Sequence, residues 1–235
     1  MNIGTCYINL KVIGKNKNFS GKFKNLFYNF CMKKIILTLV ILSGAFLNVA
    51  NSATLPWQKQ QPEQVQADPI SEQAKVLYAQ NDIDGAQKIL LGKTEESRSA
   101  EDCLLLGNIL QDKDKINEAI YMFNEAINKD PKYYKAHYNL GYIYFIQDKP
   151  NLALAEFRKT VKLKDDFSYG YYNMGCAYLK LKDYRNAKYN FFRALDSGNS
   201  EPSIYYNLAY SYKMLNKEKQ AQTYLDLYNK IMEKQ

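Results

Sequence analysis

Apolar residues recur with a helical period through the C-terminal part of the chain, and that pattern repeats every 34 residues. From residue 100 onward each unit places a small residue at its position 8: Gly107, Gly141, Gly175 and Ala209. Alanine stands at position 20 (Ala119, Ala153, Ala187, Ala221) and a large apolar residue at 24 (Phe123, Phe157, Phe191, Leu225). Leucine at 7 and tyrosine at 11 usually accompany them. Polar turns such as Gln111 to Asp114, Gln147 to Pro150, and Lys182 with Asp183 split each unit into two amphipathic stretches, long enough for antiparallel helices of about 12 to 14 residues. Small residues at 8 and 20 let the two backbones approach, and the residue at 24 is expected to fill the space against the next pair. One pair alone cannot bury its apolar face, whereas a stack of pairs can. The predicted fold class is therefore all-α.

Three columns in register over four units without insertion resemble the 34-residue tetratricopeptide repeat. The resemblance covers residues 67–235 and implies a right-handed superhelical solenoid of antiparallel helix pairs. The expected repeats are 67–99, 100–133, 134–167, 168–201 and 202–235. The first is degenerate: Ala74, Ala86 and Leu90 take positions 8, 20 and 24, the unit is one residue short, and the Leu-Gly pair is missing. Terminal repeats often depart from the pattern because one face meets solvent. The third and fourth also depart, the third with Thr160 at 27 and Asp165 at 32. In the fifth, Tyr228 stands at 27 and the second helix is expected to close the stack itself.

Charge sharpens the division of the chain. The formal net charge is +8, yet residues 1–52 contain seven lysines, no arginine and no acid. Subtracting those seven from 32 basic residues leaves 25 against 24 acidic ones, so the repeats are nearly neutral and nucleic acid is not expected as a partner. Met32, Lys33 and Lys34 precede an uncharged run at 35–47, followed by small residues at Ala50 and Ser52. This is the layout of a secretory signal peptide over 32–52, and the run is short for a membrane span. Membrane contact is expected only if that segment is retained. A mitochondrial presequence fits less well, being arginine-rich and amphipathic. Residues 1–31 read as an upstream extension absent from the mature protein, with Met32 as the true start. Residues 53–66, with Trp57, Pro56 and Pro62 among glutamines, read as a polar linker. The expected location is the periplasm or outside the cell.

Candidate chemistry is sparse. Cys103 and Cys176 lie two units apart, beyond the reach of a disulfide to each other. His137 is the one histidine, so neither a multi-histidine metal site nor a histidine relay is available. Cys103 and His137 occupy position 4 of neighbouring units, about 10 Å apart by helix spacing, which is too far for a nucleophile and its base. No phosphate-binding glycine loop occurs. No enzyme activity, metal or cofactor is expected.

Binding is where the resemblance is informative. In tetratricopeptide proteins the first helix of each unit lines a concave groove with positions 2, 5, 9, 12 and 13, and position 6 is often asparagine. Carried over, this implies Asn108, Lys135, Tyr138, Asn139, Tyr142, Tyr169, Tyr172, Asn173, Tyr206, Asn207 and Tyr210 as groove residues. Tyrosines offer rigid area with a polar tip, and asparagine amides can pair with an extended backbone. Tyr144, Tyr178 and Tyr212 at position 11 read as packing. A clamp for a C-terminal carboxylate is not expected, because Leu104, Tyr138, Tyr172 and Tyr206 fill position 5, where such clamps use Lys or Arg. The expected function is a protein-protein interaction module that takes a peptide or partner in the groove. The alternatives are a cell-wall or glycan binder and an accessory or assembly subunit of an envelope complex.

Overall fold

A computed structural model describes residues 68–234. The expected extension, signal segment and linker lie outside the described residues. Ten helices follow one another: α1 (Pro69–Ala79), α2 (Ile83–Leu91), α3 (Ala100–Asp112), α4 (Ile116–Lys129), α5 (Tyr134–Ile146), α6 (Pro150–Leu163), α7 (Ser168–Lys180), α8 (Tyr184–Asp196), α9 (Pro202–Met214) and α10 (Glu218–Met232). No strand occurs among the described residues. Each odd helix packs on the even helix after it, and each even helix on the next odd one, so the architecture is a solenoid of helix pairs. Helices α3, α5, α7 and α9 all begin on position 1 of a unit, and α4, α6, α8 and α10 on position 17.

Local chemistry sets these boundaries. Inside every pair, the residue at position 15 has a left-handed backbone: Asn81, Asp114, Asp148, Lys182 and Asn216, with φ between 56° and 68°. The next amide then reaches back five residues, as in Lys115 N–H to the Leu110 carbonyl (2.8 Å) and Lys149 N–H to that of Tyr144 (2.9 Å). This closes the odd helix and reverses the chain, and after glycine Asn and Asp tolerate that conformation best. Ser99 and Asp102 form a reciprocal capping box at the start of α3, and Asp68 caps α1. Arg98 closes the other end of the first pair by donating to the carbonyls of Leu90 (3.1 Å) and Lys93 (2.9 Å).

Packing within each pair adds to one expectation. The ring at position 24 lies over the glycine at position 8 of its own pair and also belongs to a buried cluster with the next pair, as Phe123 does with Ala136, Leu140 and Ile143. A Cβ built on Gly107 would stand 2.4 Å from the Phe123 ring, one on Gly141 2.8 Å from Phe157, and one on Gly175 2.6 Å from Phe191. All three rings are fully buried. The two columns compensate in size: Gly faces Phe in the middle three units, whereas the first and last pair Ala74 with Leu90 and Ala209 with Leu225.

Between pairs, position 27 meets position 3 of the next unit. Ala126 and Ala136 share one buried cluster, Ala194 and Ile204 another. A Cβ on Gly170 would lie 3.6 Å from Thr160. Thr160 fits there, fully buried, because its hydroxyl donates to the Glu156 carbonyl (2.9 Å). In α10 the same position carries Tyr228, whose ring packs 5.4 Å from that of Tyr206 on α9. No described helix is long and apolar enough to cross a membrane.

Candidate functional site

The odd-numbered helices form one continuous layer, and side-chain hydrogen bonds stitch it from unit to unit. Asn139 on α5 donates to Asn108 Oδ1 on α3 (2.6 Å), Asn173 on α7 to the Tyr138 hydroxyl on α5 (3.0 Å), and Asn207 on α9 to the Tyr172 hydroxyl on α7 (3.4 Å). Tyr172 in turn donates to Ser203 Oγ on α9 (3.1 Å). The position-6 asparagine of one unit thus addresses position 5 of the unit before it. Where that unit has Leu104 instead of tyrosine, the bond goes to Asn108 at position 9.

This places the expected groove residues in two groups. Tyr142, Tyr172, Asn173 and Asn207 are buried, and Tyr138, Asn139 and Asn108 half-buried. Tyr138 rests on Phe157 and Phe167, with ring centroids 5.9 and 5.0 Å away, and Tyr172 on Phe191 at 5.8 Å. Desolvation pushes the phenols of Tyr138, Tyr142 and Tyr172 above the ordinary tyrosine pKa, outweighing the hydrogen bonds that lower the first and last. They therefore stay neutral hydroxyls, able both to donate and to accept. The three asparagines have a structural use that competes with reading a peptide backbone.

The second group faces outward. Lys135 is exposed, Tyr206 is 38 % exposed, and Tyr169 and Tyr210 are half-buried. Tyr169 lies 6.1 Å from the Phe167 ring, and Tyr210 meets Tyr184 edge-on at 6.1 Å. Lys180 of α7 sits over the Phe145 ring (4.7 Å) and bonds Asp148 (2.8 Å), so its charge is already engaged.

Cys103 and His137 are both buried. Cys103 is a buried, free thiol, so no bridge joins it to Cys176, and burial pushes its pKa up, away from a reactive thiolate. His137 is buried between α5 and α6, with Nδ1 2.7 Å from Glu156 Oε2 and Nε2 3.2 Å from the Pro131 carbonyl. Both ring nitrogens face oxygen atoms. This pair was not legible beforehand, since Glu156 at position 23 reads as one of many helix carboxylates. Among the described residues no cluster of His, Cys, Asp and Glu could hold a metal.

Sequence profiles of tetratricopeptide repeats match residues 107–148 and, with a second profile, 134–167 and 168–196. No curated protein matches the sequence. Solved structures similar in fold include a crystal structure of MamA, at TM-score 0.63 and 20% identity, covering 68% of this chain and 95% of that one. MamA 41-end from Desulfovibrio magneticus RS-1 matches with TM-score 0.63 and 17% identity, over 71% of this chain and 94% of its own. A third, MamA MSR-1, gives 0.61 and 19%, over 70% and 95%. At these identities the likeness speaks for the fold alone. Residues 107–196 are thus tetratricopeptide repeats.

Proposed function

We propose that the chain is a protein-interaction module that holds an extended segment of a partner protein along the layer of odd-numbered helices. Repeats of this kind ordinarily serve as non-catalytic scaffolds. The observation that carries the reading is the layer itself: hydrogen bonds fix α3, α5, α7 and α9 side by side, while Lys135, Tyr169, Tyr206 and Tyr210 stand at its accessible positions. A rigid row of aromatic side chains with polar tips offers contact area at small entropic cost. Tyr138, Tyr142, Tyr172 and the three asparagines shape the layer; the outward group makes the contacts.

We further propose that residues 32–52 direct export to the periplasm or beyond and are removed, so that the native protein begins near residue 53. N-terminal sequencing checks this, and peptides from residues 1–31 in the native protein would contradict it.

Binding is tested with the triple variant Lys135→Glu, Tyr169→Ala, Tyr210→Ala. Replacing Tyr138 and Tyr172 would be a poor test, because both support the joints between units. The triple variant is expected to weaken capture of an envelope partner at least tenfold while its helical content matches the parent. Equal capture, or binding to purified wall polymer in the absence of protein, would overturn the proposal.

A further inference from the structure

The joint between the first two helix pairs is built differently from the others. At the later joints, positions 27 and 3 hold small or aliphatic residues, all buried. At the first joint the same positions hold Lys93 and Asp102, ion-paired through Nζ and Oδ2, with Lys93 only 8 % and Asp102 1 % exposed. The Lys93 ammonium also donates to Asp68 Oδ2 (2.6 Å) and Ser71 Oγ (2.9 Å). Asp68 caps α1, Ser71 lies on α1 and Asp102 on α3, so one cation ties the first pair to the second. The other Asp102 oxygen, Oδ1, is buried without a hydrogen-bond partner.

Such a pair gains little over apolar packing, yet losing one member strands the other charge in the interior. The neighbouring contacts give weak support. At nine residues α2 is the shortest helix described. On its outer side a cavity of about 420 Å³ opens between α2 and α4, lined by Gln87, Leu91, Leu106, Leu110, Tyr121 and Met122. Leu91 and Tyr121 are both more than half exposed there. In a stack each pair is held by its own packing and by its joints with neighbours, so an end pair on a weak joint opens first.

We infer that α1 and α2 form a hinged end unit, latched by the Lys93–Asp102 ion pair, which opens from α3 as one body while α5 to α10 stay folded. Opening uncovers Leu105, Leu106 and Ile109 of α3, which pack with Ala74, Ala86 and Leu90 when the latch is closed.

Native-state hydrogen exchange on the full-length protein, read by mass spectrometry, tests this. In the parent, amides of α1 and α2 exchange together and at least tenfold faster than the core amides of α5 to α8. Lys93→Met accelerates α1 and α2 a further tenfold or more and leaves α5 to α10 within twofold. Lys93→Met with Asp102→Asn removes the stranded charge but keeps the capping acceptor, and restores protection to within threefold of the parent. Uniform exchange in all helices of the parent, or equal acceleration everywhere in Lys93→Met, overturns the hinge. Failure of the double variant to recover protection overturns the assignment of the Lys93→Met effect to a stranded Asp102 charge.

Discussion

Gly107→Ala is expected to destabilise the protein by about 2 kcal/mol, although alanine is ordinarily the better helix former by about 1 kcal/mol. The added methyl would stand 2.4 Å from Cε1 of Phe123, a ring with no exposed surface. Overpacking a filled core typically costs 1–3 kcal/mol, more than the helix gains from the lost glycine entropy. Phe123→Leu alone should also destabilise, by leaving a void of the kind that costs about 1–3 kcal/mol. The double variant reproduces the Ala-Leu pairing of the first and last units and should be more stable than the sum of the single changes predicts, with a coupling of about 1 kcal/mol or more. Urea titration of the four proteins measures this. Additive losses would mean that the two columns are not matched in size.

Removing Glu156 is the second large effect. Its carboxylate is nearly buried, accepts from His137 at 2.7 Å and from Lys159 at 2.8 Å, and leaves the imidazole no other acceptor at Nδ1. Glu156→Leu should cost about 1–3 kcal/mol, the usual result of leaving a buried hydrogen-bonding group without its partner. The same carboxylate imposes a dependence on acid. Desolvation raises its pKa, but the hydrogen bonds from His137 and Lys159 outweigh that and hold it below the ordinary glutamate value of 4.5. Because the folded value lies below the unfolded one, the stabilisation is complete above about pH 4.5 and disappears as pH falls through the folded value. Glu156→Gln should therefore lose less stability than the parent between pH 5 and pH 3 in thermal melts. Parallel curves would assign the acid sensitivity elsewhere.

The period of the chain was open to reading because packing of helix pairs imposes it on every unit. Gly107, Ala119 and Phe123 recur for reasons of volume, and volume shows in residue type. The left-handed residues at position 15 were less visible: the turns read as polar, but Lys182 carries none of the Asn or Asp signal that would mark its φ of 58°. What the period does not contain is the offset between neighbouring units. Asn173 meets Tyr138 across a separation of 35 residues, one more than the repeat, because the odd helices lie side by side with a slight stagger. Column statistics place both residues on the groove side and leave out that they bond to each other. Lys93 was hidden for a similar reason. In a degenerate first unit a lysine reads as solvated, and only its neighbour across the joint, Asp102, makes its burial intelligible.

Of the candidate contact positions, Lys135 and Tyr206 are exposed and Tyr169 and Tyr210 half-buried. The most direct test of the account places a photo-crosslinking amino acid at position 169, on the odd-helix layer, or at position 189, where Tyr189 is 55 % exposed on α8. Irradiation in the native envelope should join a protein partner from position 169 and not from position 189. Crosslinks from 189 alone would contradict the assignment of the binding surface.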